Sequence, residues 1–348
     1  MSITKIIFSI NLLISINVMS QYPITTVTER KGVSLRGLSI PNEKAIWASG
    51  SNGSIARSVD GGAHFEWITV AGYANRDFRS IHAWNEQEAI IVAIASPGII
   101  LKTIDGGKNW KKVFENRDSA MFLDAINFED GHGWIIGDPV HQIPYMLSSD
   151  DYGENWMEMD SSYFKDTLLN GESFFASSNS NLKQAGKDVY FVSGGLHSRL
   201  WINGIPSILP IAQGNNSSGA NSIDISPDFK SIIIAGGDYK KDTASENNIV
   251  VYDINTKTKS SGNNYKMKPI LNEVKLIKIP YGYKSSINFF TNEIALTTGT
   301  SGIDISKDKG KSWTFISKES FHVVQKQPNT KKVFLAGKGG RIAHLTVE

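Results

Sequence analysis

Four charged residues stand at nearly equivalent positions in four short alternating segments of the chain: Arg36 in residues 34–40, Arg79 in 77–84, Asp124 in 121–128 and Glu172 in 172–178. A charge carried into a packed interior is desolvated and needs a partner. Two arginines can grip a carboxylate through paired N–H donors, and two carboxylates can serve as acid and base on a glycoside. Neighbouring turns add Asp138, His141, His197, Arg199, Asp238 and Lys240. Three readings follow. Arg36 and Arg79 could pair with Asp124 and Glu172 and merely fasten the fold, they could build an anion or peptide-carboxylate site, or the acids could catalyse. The binding site is expected on Arg36, Arg79, Asp124, Asp138, Glu172 and Arg199.

A repeat must position these residues. The pattern Ser/Thr-x-Asp-x-Gly-x-x-aromatic occurs as Ser58-Val-Asp60-Gly-Gly62-Ala-His-Phe65, Thr103-Ile-Asp105-Gly-Gly107-Lys-Asn-Trp110, Ser149-Asp-Asp151-Tyr-Gly153-Glu-Asn-Trp156 and Ser306-Lys-Asp308-Lys-Gly310-Lys-Ser-Trp313. The starts lie 45, 46 and 157 residues apart, so two degenerate copies fit in the last interval. The aspartate suits a tight turn because its side chain accepts backbone N–H bonds. Glycine supplies the positive φ, and the ring opens the next strand with a large apolar face. Calcium is the alternative ligand for such aspartates, but the spaced carboxylates and closing Glu of a calcium loop are missing. Asp60, Asp105, Asp151 and Asp308 are therefore expected to be structural.

Each box sits in a longer unit of four short strands separated by turn signals, with no helical period. First strands are expected at 34–40, 77–84, 121–128, 172–178, 220–226, 285–290 and 320–325, and second strands end in Gly-rich turns such as Gly137-Asp138 and Gly236-Gly237-Asp238. These units predict an all-β fold, a seven-bladed β-propeller of four-stranded antiparallel blades, which hides its sheet edges by closing into a ring. The last unit lacks a fourth strand, and residues 24–28 are placed to supply it. Residues 21–348 are expected to form one domain.

The boxes resemble the Asp-box, or BNR, repeat of sialidase-like propellers. Ser34-Leu-Arg-Gly-Leu38, Arg76-Asp-Phe-Arg79, Met121-Phe-Leu-Asp-Ala125 and Gly137-Asp-Pro139 resemble the photosystem II stability/assembly factor-like family of exported Asp-box propellers. That resemblance implies a non-catalytic protein that binds a protein partner or a small anionic ligand. The rival expectation is a sialidase-like glycoside hydrolase in the same pocket. It would need an arginine cluster, a Tyr–Glu pair and an acid/base Asp. The usual Phe/Tyr-Arg-Ile-Pro segment is absent, Leu35-Arg36-Gly37 stands nearest, and Tyr281 and Tyr283 are the tyrosines on offer.

Composition closes other routes. With 36 Lys+Arg against 34 Asp+Glu and a net charge of +2, binding nucleic acid by phosphate neutralisation is not expected. The absence of cysteine removes disulfides, thiolate metal sites, lipid anchoring through cysteine and thiol nucleophiles. The histidines are scattered, so no metal is expected, and no cofactor signal is present. Gly310-Lys311-Ser312 imitates the end of a phosphate loop, but Ile305 stands where its first glycine belongs. Lys5, an interrupted apolar run over residues 6–19, and small Val18 and Ser20 read as a secretory signal cleaved after Ser20. The run is shorter than the roughly 20 residues of a membrane span. The product is expected in the periplasm or outside the cell, as a monomer.

Overall fold

The computed structural model describes residues 22–255 and 269–348, so the segment read as a secretory signal lies outside the described residues. Seven antiparallel sheets surround one axis. Blade 1 comprises Leu35–Ser39, Ile46–Gly50, Ser54–Ser58 and Glu66–Thr69, and blade 2 comprises Phe78–Ala83, Ala89–Ala93, Gly98–Thr103 and Lys111–Asn116. Blade 3 runs through Leu123–Glu129, His132–Val140, Ile143–Ser149 and Met157–Glu158. Blade 4 holds Leu182–Ala185, Asp188–Val192, Arg199–Ile202 and Ile205–Ile208. Blade 5 holds Ser218–Ile225, Ser231–Asp238, Ile249–Asn255 and Ile270–Glu273, and blade 6 holds Ser286–Phe289, Ala295–Gly299, Gly302–Ser306 and Thr314–Ser317. Blade 7 takes Val323–Lys326, Lys332–Ala336 and Ile342–Thr346 from the C-terminal end and Thr25–Thr28 from the N-terminal end. The first strand of each blade touches its neighbour in turn, and Val323–Lys326 returns to Leu35–Ser39, so the ring is closed.

Burial explains why these segments read as apolar runs. Ala89–Ala93 is buried throughout; Ala89, Ile91 and Ala93 pack between blades 1 and 2, while Ile90 and Val92 pack between blades 2 and 3. Alternate residues of one strand face opposite sides of the sheet, and here both sides are covered. Each fully buried aliphatic side chain contributes roughly 1.5–3 kcal/mol. The outermost strands are more exposed than the inner ones, as in Met157–Glu158.

The four box turns share one hydrogen-bond set. In the first, Ser58 Oγ donates to Asp60 Oδ1 at 2.8 Å, and Asp60 Oδ1 also accepts the His64 N–H at 3.0 Å. The Gly62 N–H donates to Ser58 Oγ at 2.9 Å. Thr103, Ser149 and Ser306 repeat the pattern with Asp105, Asp151 and Asp308. The closing glycines Gly62, Gly107, Gly153 and Gly310 have φ of +83°, +84°, +78° and +85°. They also lie against neighbouring side chains: a Cβ on Gly107 would come within 2.9 Å of Ile68 Cδ1.

One expected strand is misplaced. Residues 172–178 do not form the inner strand of blade 4; that strand is Leu182–Ala185. Glu172–Ser173 instead pairs with Gly194–Gly195, which joins the blade 5 sheet where Gly194 faces Gly219. The two glycines permit an approach that a side chain would block, since a Cβ on Gly194 would lie 2.7 Å from Gly219 Cα.

Candidate functional site

The inner-strand charges owe their aim to a backbone irregularity. In blades 1, 2, 3 and 5 the register between the first two strands slips by one residue, and the extra residues are Arg36, Arg79, Asp124 and Asn221. A bulge of this kind re-aims a side chain. Blades 6 and 7 bring Ser285 and His322 to the entrances of their own first strands. Arg36, Arg79, Asn221, Ser285 and His322 line one cavity of about 350 Å³ together with Asp138, Tyr239 and Tyr283.

The floor of the cavity is the chain itself. Phe174, Phe175, Ala176 and Ser177 line it, and residues 177–180 bond to five blades. Ser177 O accepts Arg36 Nη1 at 3.0 Å. Asn179 donates to Ile81 O at 3.0 Å and accepts the Ile126 N–H at 2.9 Å. Ser178 Oγ donates to Ser285 O, and Ser180 O accepts the Ile223 N–H at 2.7 Å. A segment in reach of blades 1, 2, 3, 5 and 6 lies on the axis. These residues form a plug that closes the channel, which explains why a stretch expected as a strand carries so many small hydroxyl and amide side chains.

The lead-in to the plug is held by two residues expected at the binding face. Arg199 Nε lies 2.9 Å from both Glu172 oxygens, Arg199 Nη1 lies 2.8 Å from Asp166 Oδ2, and Arg199 Nη2 donates to Thr167 O at 2.6 Å. The guanidinium also covers the Trp201 ring at 4.5 Å. Both side chains are buried, and neither lines the cavity. The expectation of Glu172 on the channel wall is thus corrected: it sits in an edge pairing behind the wall, and its charge is spent on Arg199.

The expected cross-ring pairs do not form either. Arg79 Nε pairs with Asp77 Oδ2 at 2.8 Å. Among the described residues Arg36 has no carboxylate within salt-bridge distance, and its one hydrogen bond goes to the Ser177 carbonyl. Burial, then the Arg79 charge, lowers its pKa, but a guanidinium stays protonated. Asp124 is fully buried behind the wall, and neither carboxylate oxygen has a partner at hydrogen-bond geometry. Burial, followed by repulsion from Asp138, holds its pKa well above the usual range. Burial also raises Asp138, whose Oδ1 accepts the Phe174 N–H at 3.1 Å.

The remaining wall is neutral near pH 7. Burial and then the charges of Arg36, Arg79 and Lys338 push His322 down to about 3. Burial pushes Tyr283 up to about 12, and its hydroxyl donates to Asn221 Oδ1 at 3.1 Å. With Arg79 paired to Asp77, Arg36 is left without an ion-pair contact, touched by the Asp77 charge only at longer range, in a pocket of hydroxyl, amide and aromatic groups and the one carboxyl of Asp138. Such a site suits an anion with lone pairs for the free N–H donors.

The geometry does not assemble a glycosidase pair. Asp138 is the carboxyl on the cavity wall, Asp124 and Glu172 lie outside it, and Tyr283 bonds to Asn221 rather than to a glutamate. His141, His197, Asp238 and Lys240 also stand outside the wall. Among the described residues no group of three His, Asp or Glu is placed to hold a metal ion, and no helix is long and apolar enough to cross a membrane. Sequence reasoning missed Asn221, Ser285, His322 and the plug. Their position just before or within an apolar β run, in units without a clear box, is the signal that marks the first three.

Comparison with known proteins places this architecture. Residues 83–166 match the family model described as photosynthesis system II assembly factor YCF48. A relative from a Synechococcus strain, a photosystem II assembly lipoprotein Ycf48, is 35% identical over 83 residues, which is 23% of this chain and 22% of that protein's length. The matched segment therefore spans about a fifth of that relative. A solved structure of YCF48 bound to D1 peptide aligns over 96% of this chain and 100% of its own, with a TM-score of 0.62 and 16% identity. YCF48 from Cyanidioschyzon merolae aligns over 93% and 98%, with a TM-score of 0.59 and 16% identity. The chain shares the propeller fold of these YCF48 structures.

Proposed function

We propose that this protein is an exported, non-catalytic binding propeller whose axial cavity captures a carboxylate of a partner polypeptide. The observation that carries the reading is Arg36: a largely buried guanidinium facing a cavity of about 350 Å³ with no carboxylate in ion-pair contact, while burial raises the pKa of Asp138, the carboxyl in that wall. A buried cation without a counter-charge is costly, so the site gains most from a ligand that brings one. Arg79 and the second amide hydrogen of Asn221 add donors around the same space. The likeness to a YCF48 structure holding a D1 peptide supports a polypeptide as the source of the anion. Export rests on the signal-like residues 1–20.

The test is capture of partners from the native envelope with wild-type protein and with Arg36→Gln and Arg79→Gln. A partner retained by the wild type and lost from both variants supports the reading. Equal capture by all three, or release of sugar from a glycoside panel by the purified protein, overturns it.

A further inference from the structure

We propose that carboxylate capture in this cavity is coupled to uptake of one proton by the Asp124–Asp138 pair, with neutral Asp138 donating a hydrogen bond to the bound anion. The inference rests on the carboxylate reading above and adds a mechanism to it.

Asp138 lines the cavity, and its Oδ1 is occupied by the Phe174 N–H, while Oδ2 makes no hydrogen bond within the described protein. No lysine or arginine pairs with it. Behind it, Asp124 is fully buried with both oxygens unpartnered. A bare carboxylate in that position is strongly disfavoured, and the two acids repel when both are charged. The cation facing Asp124 is Arg79, whose Nε is already committed to Asp77. The Ala176 N–H of the plug lies near Asp124 but outside hydrogen-bond geometry. The other titratable groups of the wall are Arg36, His322, Tyr239 and Tyr283. Arg36 stays cationic, and burial keeps His322 and Tyr283 neutral near pH 7.

A carboxylate drawn to Arg36 and Arg79 enters beside Asp138. An ionised Asp138 would repel it. A proton taken from solvent onto Asp138 Oδ2 removes that charge and creates an O–H donor to the anion, a charge-assisted bond of the stronger class. No covalent bond is broken; ligand and proton bind together. Affinity should therefore fall as pH rises, by up to about tenfold per pH unit where one proton is coupled.

The test is calorimetric titration with N-acetyl-trialanine carrying a free carboxylate, between pH 5 and 8, in buffers of different ionisation enthalpy. Wild-type protein should take up close to one proton on binding at the upper end of this range and bind more weakly there. Asp138→Asn should show no uptake and an affinity indifferent to pH. A carbon-13 titration of the ligand-free carboxyls should place Asp124 and Asp138 above the ordinary aspartate range. Binding that depends on Arg36 without proton uptake overturns the coupling and leaves the carboxylate site standing. So does uptake that persists in Asp138→Asn, or an ordinary titration of both acids. Binding indifferent to Arg36→Gln, or no binding at any pH, overturns both readings.

Discussion

Arg199 holds Glu172 in a two-point grip, with Nε 2.9 Å from both carboxylate oxygens and Nη2 2.6 Å from Oε2. The pair is buried and sits where residues 172–173 turn into the axial plug. It positions the cavity floor without facing the cavity.

Arg199→Met should cost about 3–5 kcal/mol, because Glu172 is left buried without a counter-charge, whereas Glu172→Gln leaves Arg199 its Asp166 partner and should cost less. Denaturant unfolding of Glu172→Gln and Arg199→Met would measure it. Replacing both partners by leucine should cost less than either single change. Equal stability of wild type and single variants would show that the pair is not a fastening of the fold.

The plug itself depends on Asn179, which serves blade 2 through Ile81 O and blade 3 through the Ile126 N–H. Asn179→Ala leaves two backbone groups without partners, a loss of about 1–3 kcal/mol each when buried. Faster amide hydrogen exchange at Ile126 than at distant core amides is the expected signature.

A box glycine and a glycine outside the boxes offer a controlled comparison. Gly107 and Gly72 have φ of +84° and +81°. A Cβ on Gly107 meets Ile68 Cδ1 at 2.9 Å, whereas one on Gly72 meets nothing within 4 Å. Gly72→Ala should cost about 1–2 kcal/mol from backbone strain alone. Gly107→Ala should cost more, by an overpacking increment of roughly 1–3 kcal/mol. Equal melting temperatures would contradict the packing account.

Acid stability should report the box aspartates. Hydrogen bonding, led by the Asn109 and Asn155 backbone N–H groups, holds Asp105 and Asp151 down at about 2 against 3.8 for a free aspartate. A depressed folded pKa means that this stabilisation is complete above about pH 4 and is lost as pH falls through about 2. Asp105→Asn should therefore flatten the stability–pH curve in that window and leave its slope at neutral pH unchanged, as read by thermal unfolding.

Much of the ring was legible because its periodic chemistry is local. A serine, an aspartate and a glycine at fixed offsets close one turn, and four such turns with alternating apolar strands imply a propeller. Arg36 and Arg79 were legible for the same reason, as charges recurring at one position of the repeat. Blade 4 was not. Ser177, Ser178, Asn179 and Ser180 follow the apolar residues 174–176 as one polar run, and their partners are in blades 1, 2, 3, 5 and 6. Nothing local distinguishes a plug from an edge strand. In the sequence Tyr283 is only a tyrosine on offer for a hydrolase and His322 has no role, because the burial and the Arg36 charge that act on them arise only in the closed ring.

The central claim is that Arg36 is a buried cation without an ion-pair contact, which a partner's carboxylate satisfies. Its most direct test is the affinity of the captured partner for wild-type protein and for Arg36→Gln, with melting temperature recorded for both. A charge-assisted hydrogen bond is worth about 1.5–3 kcal/mol. The account therefore predicts a loss of roughly 10- to 150-fold in affinity with a melting temperature that is not lowered. Equal affinity for the two proteins would contradict it.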